Sequence, residues 1–451
     1  MVCDAFSRAE AQRLAWVAMH QADLRADTYD SLTDAVKSPD FVPGQSKVGK
    51  QIILPASFPG GPRAMSQNYL DAMSIVKRYG KPDYFITMTA NPSWPEIQNA
   101  LRYGETAANR PDLVARVFRI KFQILLDKLL KEHVLGKVVA YSWVIEFQKR
   151  GLPHAHLLII LRGADKPRTP EDVDARICAE LPDPENPDHA ELLAIILASQ
   201  IHGPCGVRNP QAPCMVDGKC SKGFPKLFCE ATEVRADGYP KYRRRESSPH
   251  VTKGSHVFDS RDVVPYNPYL SKTLRCHLNV EFCGTIRAVK YLYKYISKGH
   301  DRATLEFSQD EVKQFLDARY VGPPEGAWRL FTFPMHGKSH AIERLAVHLK
   351  GGETILFPEG GEKEAAAAGS VSTLMAWFAL NAAPPDGEDP PARSLSYAQF
   401  PEHFIWVRRS ESGAEGSERP MPTKLLDACS PRTLRKDRAS TYTFCYYIGR
   451  E

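Results

Sequence analysis

The sequence predicts an α+β fold: a mainly antiparallel central sheet with helices packed on it, plus accessory α/β segments. Three observations carry that reading. Val138 to Gln148 and Pro153 to Leu161 are apolar runs joined by a short polar turn, the pattern of a hairpin. Val114, Phe118, Phe122, Leu125 and Leu129 recur at helical spacing within Pro111 to His133, so that helix has a face to bury. Tyr84 to Thr89 and Arg275 to Glu281 read as further strands.

The remaining elements follow along the chain. Residues 9–37 have spaced apolar positions and few breakers, which predicts one or two helices. Gly and Pro punctuate Pro43 to Pro62 around a short strand-like run, Gln51 to Pro55, and Ser66 to Tyr79 reads as a helix. Residues 200–250 are rich in Cys, Pro, Gly and basic residues and show little periodicity. Thr285 to Ser297 predicts a helix. Beyond residue 300 the pattern is mixed α and β, with Glu359 to Ser370 and Ala382 to Arg393 reading as low-complexity linkers. These features suggest an N-terminal accessory segment over 1–65 and a core over 66–300 with a Cys/His-rich insertion at about 200–250. A C-terminal accessory region covers 301–451.

Composition sets limits on function. The 451 residues suffice for two or three domains, and 25% charged with 43% hydrophobic residues describes an ordinary globular chain. A net charge of +6 leans mildly towards polyanions. No apolar run reaches the roughly 18 residues of a membrane span, and the N-terminus lacks signal-peptide order. The 10 cysteines are therefore expected to be thiols or metal ligands in a reducing compartment.

Four groups of residues could carry chemistry. His154 and His156 are two apart at the start of an apolar strand, so both imidazoles point to one face and can hold one cation between them. Polar residues at a sheet end are the plain alternative. Mg²⁺ or Mn²⁺ would want an oxygen as well. Glu146 on the preceding strand is the choice, with Gln148 as its substitute. On the predicted helix after Thr285, Ile286, Val289, Tyr293 and Ile296 form the core stripe. Tyr291 and Tyr295 lie four apart on the other side, beside Arg287, Lys290, Lys294 and Lys298. Those cations favour phenolate and would hold a phosphodiester, although an amphipathic helix packed on a loop would look the same. Thr87 and Thr89 share a strand face and, with Asn91, could bond phosphates or bases, yet threonine is also an ordinary strand former. His202, Cys205, Cys214 and Cys220 suit a closed tetrahedral Zn²⁺ site, against the alternative of unrelated buried thiols. The nearby run Lys241 to Arg245 is either a DNA-facing loop or a solvated charge run. Gly44 to Gln51 nearly spells a phosphate-binding loop, but Gln51 stands where Ser or Thr must reach Mg²⁺, so ATP binding is rejected there. A histidine-triad hydrolase needs a third histidine where Leu158 stands.

Taken together, the stretches Phe85 to Pro92, Glu146 to His156, His202 to Cys205 and Lys290 to Gly299 resemble the rolling-circle replication initiator region of Helitron transposases. The likeness runs from about Arg13 to about His403. It implies an HUH-endonuclease sheet in which His154 and His156 bind the metal, Glu146 takes the third-ligand place, and Tyr291 and Tyr295 are paired nucleophiles. It further implies nicking and transfer of single-stranded DNA at transposon ends through a 5′-phosphotyrosine, in the nucleus if the source is eukaryotic. Helitron proteins usually continue into a helicase. This chain ends at Glu451 without a true P-loop, so the expectation is no ATPase or helicase activity here and a helicase acting in trans. A catalytically inactive, domesticated DNA-binding remnant is the alternative.

Overall fold

The structure is a computed structural model. It describes residues 1–20, 25–43, 54–55, 58–147, 151–234, 240–284, 321–349, 351–357, 360–368, 372–382, 395–406, 429–431 and 443–448. Two compact units divide it. The first holds residues 1–9, 75–301 and 320–339, and the second holds 10–74, 302–319 and 340–451.

The first unit is built on five strands: β1 (Tyr84–Thr89), β2 (Val138–Phe147), β3 (Pro153–Leu161), β4 (Leu278–Phe282) and β5 (His336–Lys338). Their order across the sheet is β4-β1-β3-β2-β5, and every neighbouring pair is antiparallel. Within this sheet, among the described residues, β2 and β3 are the neighbours that also follow one another in the chain. The predicted bounds of β1 match, because its alternation is visible in the sequence. β4 is shorter than the Arg275 to Glu281 run, since Arg275 sits at a left-handed helix end (φ 48°).

Pleating gives the sheet two faces. One carries Ile86, Met88, Trp143, Ile145, Leu157, Ile159, Leu278 and Val280 into the main core. Helix α1 (Pro111–Leu130) covers it with Val114, Phe118, Phe122, Leu125 and Leu129, the predicted stripe. Pro111 opens α1 at a position where its missing N–H costs nothing, and Asp112 and Lys128 suit the dipole at either end. The Phe122 ring meets Trp143 edge-on at 5.1 Å. Phe118 lies 6.0 Å from Trp328, on a helix not foreseen in the sequence, Pro323–Leu330. Each such buried aromatic contributes about 2–3 kcal/mol. Edge strand β5 needs Gly337, because a Cβ there would lie 2.4 Å from the Trp143 ring.

Two further helices, α2 (Ala190–Ser199) and α3 (Pro268–Leu274), frame the Cys/His-rich segment. A small core of Leu181, Leu192, Ile196, Val263 and Tyr266 lies beneath it.

In the second unit, strand Arg25–Thr28 pairs antiparallel with Thr354–Phe357, and Leu32, Phe357 and Ala365 close a small core. Ala365 belongs to a helix, Glu362–Ala368, so the stretch read as a linker over Glu359 to Ser370 is partly helical. Its run of alanines is low in complexity but high in helix propensity. Strand Ile342–Val347 pairs parallel with Thr443–Ile448, and Leu345, Leu374 and Tyr397 form another cluster. No described helix is long and apolar enough to cross a membrane.

Candidate functional site

The face of the sheet turned away from the main core is polar where β1, β2 and β3 meet. Antiparallel register sets Thr89 opposite His154 and Thr87 opposite His156 on one side. On the other side, Glu146 stands opposite His154 and Val144 opposite His156. The side chains complete what the register begins. Thr89 Oγ1 lies 2.9 Å from His154 Nδ1, and Thr87 Oγ1 lies 3.1 Å from His156 Nδ1. Glu146 Oε2 lies 3.0 Å from His156 Nε2. Phe85 stacks parallel to the His156 ring at 5.8 Å.

Both imidazoles are buried. Burial, helped by the neighbouring His156, pulls the His154 pKa down to about 4, and Glu146 only partly offsets this. His154 is therefore neutral at physiological pH, as a metal ligand must be. A consequence for stability follows. The ordinary value is 6.5, so the unfolded chain binds more protons than the folded one between about pH 6.5 and pH 4. Stability held at neutral pH is lost as the pH falls through that window, on the order of 3 kcal/mol from this group. Urea titrations at neutral and acid pH should show a shallower loss in His154→Gln than in the parent chain. Equal losses would contradict it.

A third imidazole joins this face. The Thr89 N–H donates to the His277 carbonyl at 2.9 Å, which extends the β1–β4 pairing by one position. Leu278, Val280 and Phe282 face the core, so alternation turns His277 to the histidine side. Its Nδ1 lies 2.7 Å from the Ser199 carbonyl, which only accepts, so the ring proton sits there. Burial lowers its pKa. The signal was present in the sequence, since His277 lies within a run read as a strand, but its face depends on a partner far away in the chain.

Asn91 is committed elsewhere. Its amide donates to the Arg275 carbonyl at 2.7 Å, and its Oδ1 accepts from Ser93 N–H at 2.9 Å, closing the turn after β1. Gln148, Arg287, Lys290, Tyr291, Lys294, Tyr295 and Lys298 lie outside the described residues.

The Cys/His cluster is brought together. His202, Cys205, Cys214 and Cys220 offer ligand atoms that all lie within 4.8 Å of one another. Among the described residues it is the one group of three or more potential ligands drawn so close. The histidine face is thus a looser juxtaposition, whereas this cluster is a closed cage that can bind a metal such as zinc. Cys214 and Cys220 flank a hairpin whose turn residues, Asp217 and Gly218, both have positive φ (49° and 74°), which explains the Asp-Gly pair. Phe224 stacks on the His202 ring at 4.3 Å. Burial, reinforced by the two neighbouring thiols, pushes Cys205 up to about 12. A bound dication reverses that tendency, because thiolate is the ligand.

The cations of the basic run beside the cluster are engaged within the fold, and Arg244 is buried there rather than solvated. Arg244 is 3% exposed and donates to the carbonyls of Ala179 at 2.9 Å, Val263 at 2.7 Å and Ser260. Arg245 grips Glu180 at 2.7 Å through Nη2, and Arg243 reaches Asp174 at 3.3 Å. Lys241 pairs with Glu233 at 3.3 Å. These cations tie the segment together. Arg244→Ala would take away the Nη1 donor that these three carbonyls share and should cost about 3 kcal/mol, readable as a lower thermal midpoint. Arg244→Lys should rescue only part of this, because its shorter side chain must carry the ammonium to the place of Nη1, from which all three carbonyls are reached. An unchanged midpoint in the alanine variant would refute this role.

Comparison with known proteins bears on the first part of the chain. Residues 1–159 match the family model described as the Helitron helicase-like domain at the N-terminus, so this is a Helitron-related region. The match takes in β1, β2 and β3 as far as Ile159, with Thr87, Thr89, Glu146, His154 and His156. No curated protein matches the chain.

Proposed function

We propose that this chain nicks single-stranded DNA with a divalent cation and transfers strands through a 5′-phosphotyrosine, on an HUH-type sheet, as rolling-circle transposition requires. The carrying observation is that His154 and His156 share a buried face with Glu146, whose carboxylate lies 3.0 Å from His156 Nε2. Two imidazole nitrogens and one carboxylate oxygen suit Mn²⁺ or Mg²⁺. His154, His156 and Glu146 would hold the ion, with Gln148 as the alternative oxygen donor. The cation supplies charge that polarises the scissile phosphate.

The rest belongs to the chain's own groups. The phenol oxygen of Tyr291 or Tyr295 forms the new bond to phosphorus while the bond to the 3′ oxygen breaks. The phenol proton is given up, and the departing oxygen takes one to become a free 3′-hydroxyl. The phosphodiester energy is kept in the protein–DNA link, so rejoining needs no ATP. A second tyrosine allows a second cut while the first strand is still attached. Arg287, Lys290, Lys294 and Lys298 would hold the DNA backbone, and zinc at the Cys/His cluster would serve structure.

The test is incubation with labelled single-stranded DNA and Mn²⁺ or Mg²⁺, followed by denaturing gels. Label retained on the protein only when the cation is present supports the reading. DNA binding without any metal-dependent adduct would leave a binding remnant instead.

A further inference from the structure

The two strand histidines have their Nδ1 atoms served by two threonines, one hydroxyl to each ring, at 2.9 and 3.1 Å. The pairing is a consequence of register, because Thr87 and Thr89 are spaced by two, as His156 and His154 are, on adjacent antiparallel strands. A threonine in a strand usually needs no further explanation. Two in succession, each aimed at a separate imidazole nitrogen, do.

An imidazole that ligates through Nε2 must carry its proton on Nδ1, and that proton needs an acceptor. Thr89 supplies one for His154, and Thr87 for His156. A hydroxyl can also donate, which matters at His156. When His156 Nε2–H donates to Glu146, Nδ1 accepts from Thr87. When Nε2 turns its lone pair to a cation, Nδ1–H donates to Thr87 and the Glu146 carboxylate is released to the ion. A carbonyl or carboxylate in place of Thr87 could satisfy only the second state.

We propose that Thr87 and Thr89 are positioning residues for a cation on the histidine face, setting the ring tautomer and orientation that present Nε2 of His156 and His154. This rests on the metal reading proposed above. It moves both hydroxyls from the DNA to the support of the imidazoles.

The test uses the full chain with zinc in its Cys/His cluster, which Mn²⁺ will not displace. Free Mn²⁺ is followed by electron paramagnetic resonance during titration. Thr87→Val/Thr89→Val should bind Mn²⁺ about 10- to 100-fold more weakly than the parent. Thr87→Ser/Thr89→Ser, which keeps both hydroxyls, should stay near the parent value. Long-range ¹H–¹⁵N spectra with Mg²⁺ should show His154 and His156 protonated at Nδ1 in the parent and serine chains, and mixed tautomers in the valine chain. Valine suits a strand but leaves two buried imidazole nitrogens without their hydroxyls, so the thermal midpoint should drop modestly while the chain still folds. If the double variant fails to fold, Thr89→Val alone tests the same point at His154. Parent-like Mn²⁺ affinity in the valine chain, or equal weakening in the serine chain, overturns the proposal alone. Absence of Mn²⁺ binding in the parent overturns both it and the metal reading.

Discussion

Stripping the metal from the His202, Cys205, Cys214 and Cys220 cluster is expected to unfold the segment around it and lower the thermal midpoint sharply. The reason lies in what holds that segment together. Its own core is small, chiefly Leu181, Leu192, Ile196, Val263 and Tyr266. Most of its strands are two or three residues long. Pieces so short stabilise little by themselves. Three thiols and an imidazole within 4.8 Å of one another can tie them through one ion. In small zinc modules such binding is worth about 10–16 kcal/mol. Only part of that would be lost here, because Arg208 clamps Asp262 through two N–H donors and Arg244 holds three carbonyls. A loss of several kcal/mol remains the expectation. Purified protein should carry one zinc per chain, and a chelator should depress the midpoint. Cys205→Ser should lose the metal and melt early, since a hydroxyl is a poor zinc ligand. A zinc-loaded preparation that melts as a chelator-treated one does, with Cys205→Ser melting alongside, would dismiss a structural ion.

That cluster also shows what can be read from sequence. Ligand types and their nearness along the chain were visible, and the Asp217-Gly218 turn that folds two of the thiols together has its own signature. Strand β1 and helix α1 were equally legible, because burial on one face writes a period into the residues. Helix α2 was not. Nearly all its residues are apolar, so no period marks a face, although Leu192 and Ile196 alone are buried. Arg244 misled for a different reason. A cation in a basic run reads as a surface charge, and the three carbonyls that bury it come from Ala179, Ser260 and Val263, which only the folded chain brings near. The placement of His277 and the contacts of Thr87 and Thr89 with the imidazoles were hidden likewise. Alternation tells which residues share a face of one strand, but not which strand lies next to it.

The largest effect on activity is expected from Tyr291→Phe/Tyr295→Phe, which should abolish covalent DNA adducts while leaving DNA binding largely intact. Removing a phenol oxygen deletes the atom proposed to bond to phosphorus and changes little else in side-chain size or apolar surface. In the proposed mechanism either oxygen attacks and strand transfer uses both, so the single variants should each keep some adduct. His154→Ala gives the complementary result: adducts should fall with both nucleophiles present, and Mn²⁺ affinity should fall with them. The two classes of variant therefore separate on metal binding. The tyrosine pair should bind Mn²⁺ as the parent does, whereas His154→Ala should not. Adducts that persist in the double tyrosine variant would place the nucleophile elsewhere. Adducts that persist in His154→Ala at unchanged Mn²⁺ demand would take the cation off the histidine strand, and the polar face of β1, β2 and β3 would then be left as a sheet surface that orders its own imidazoles.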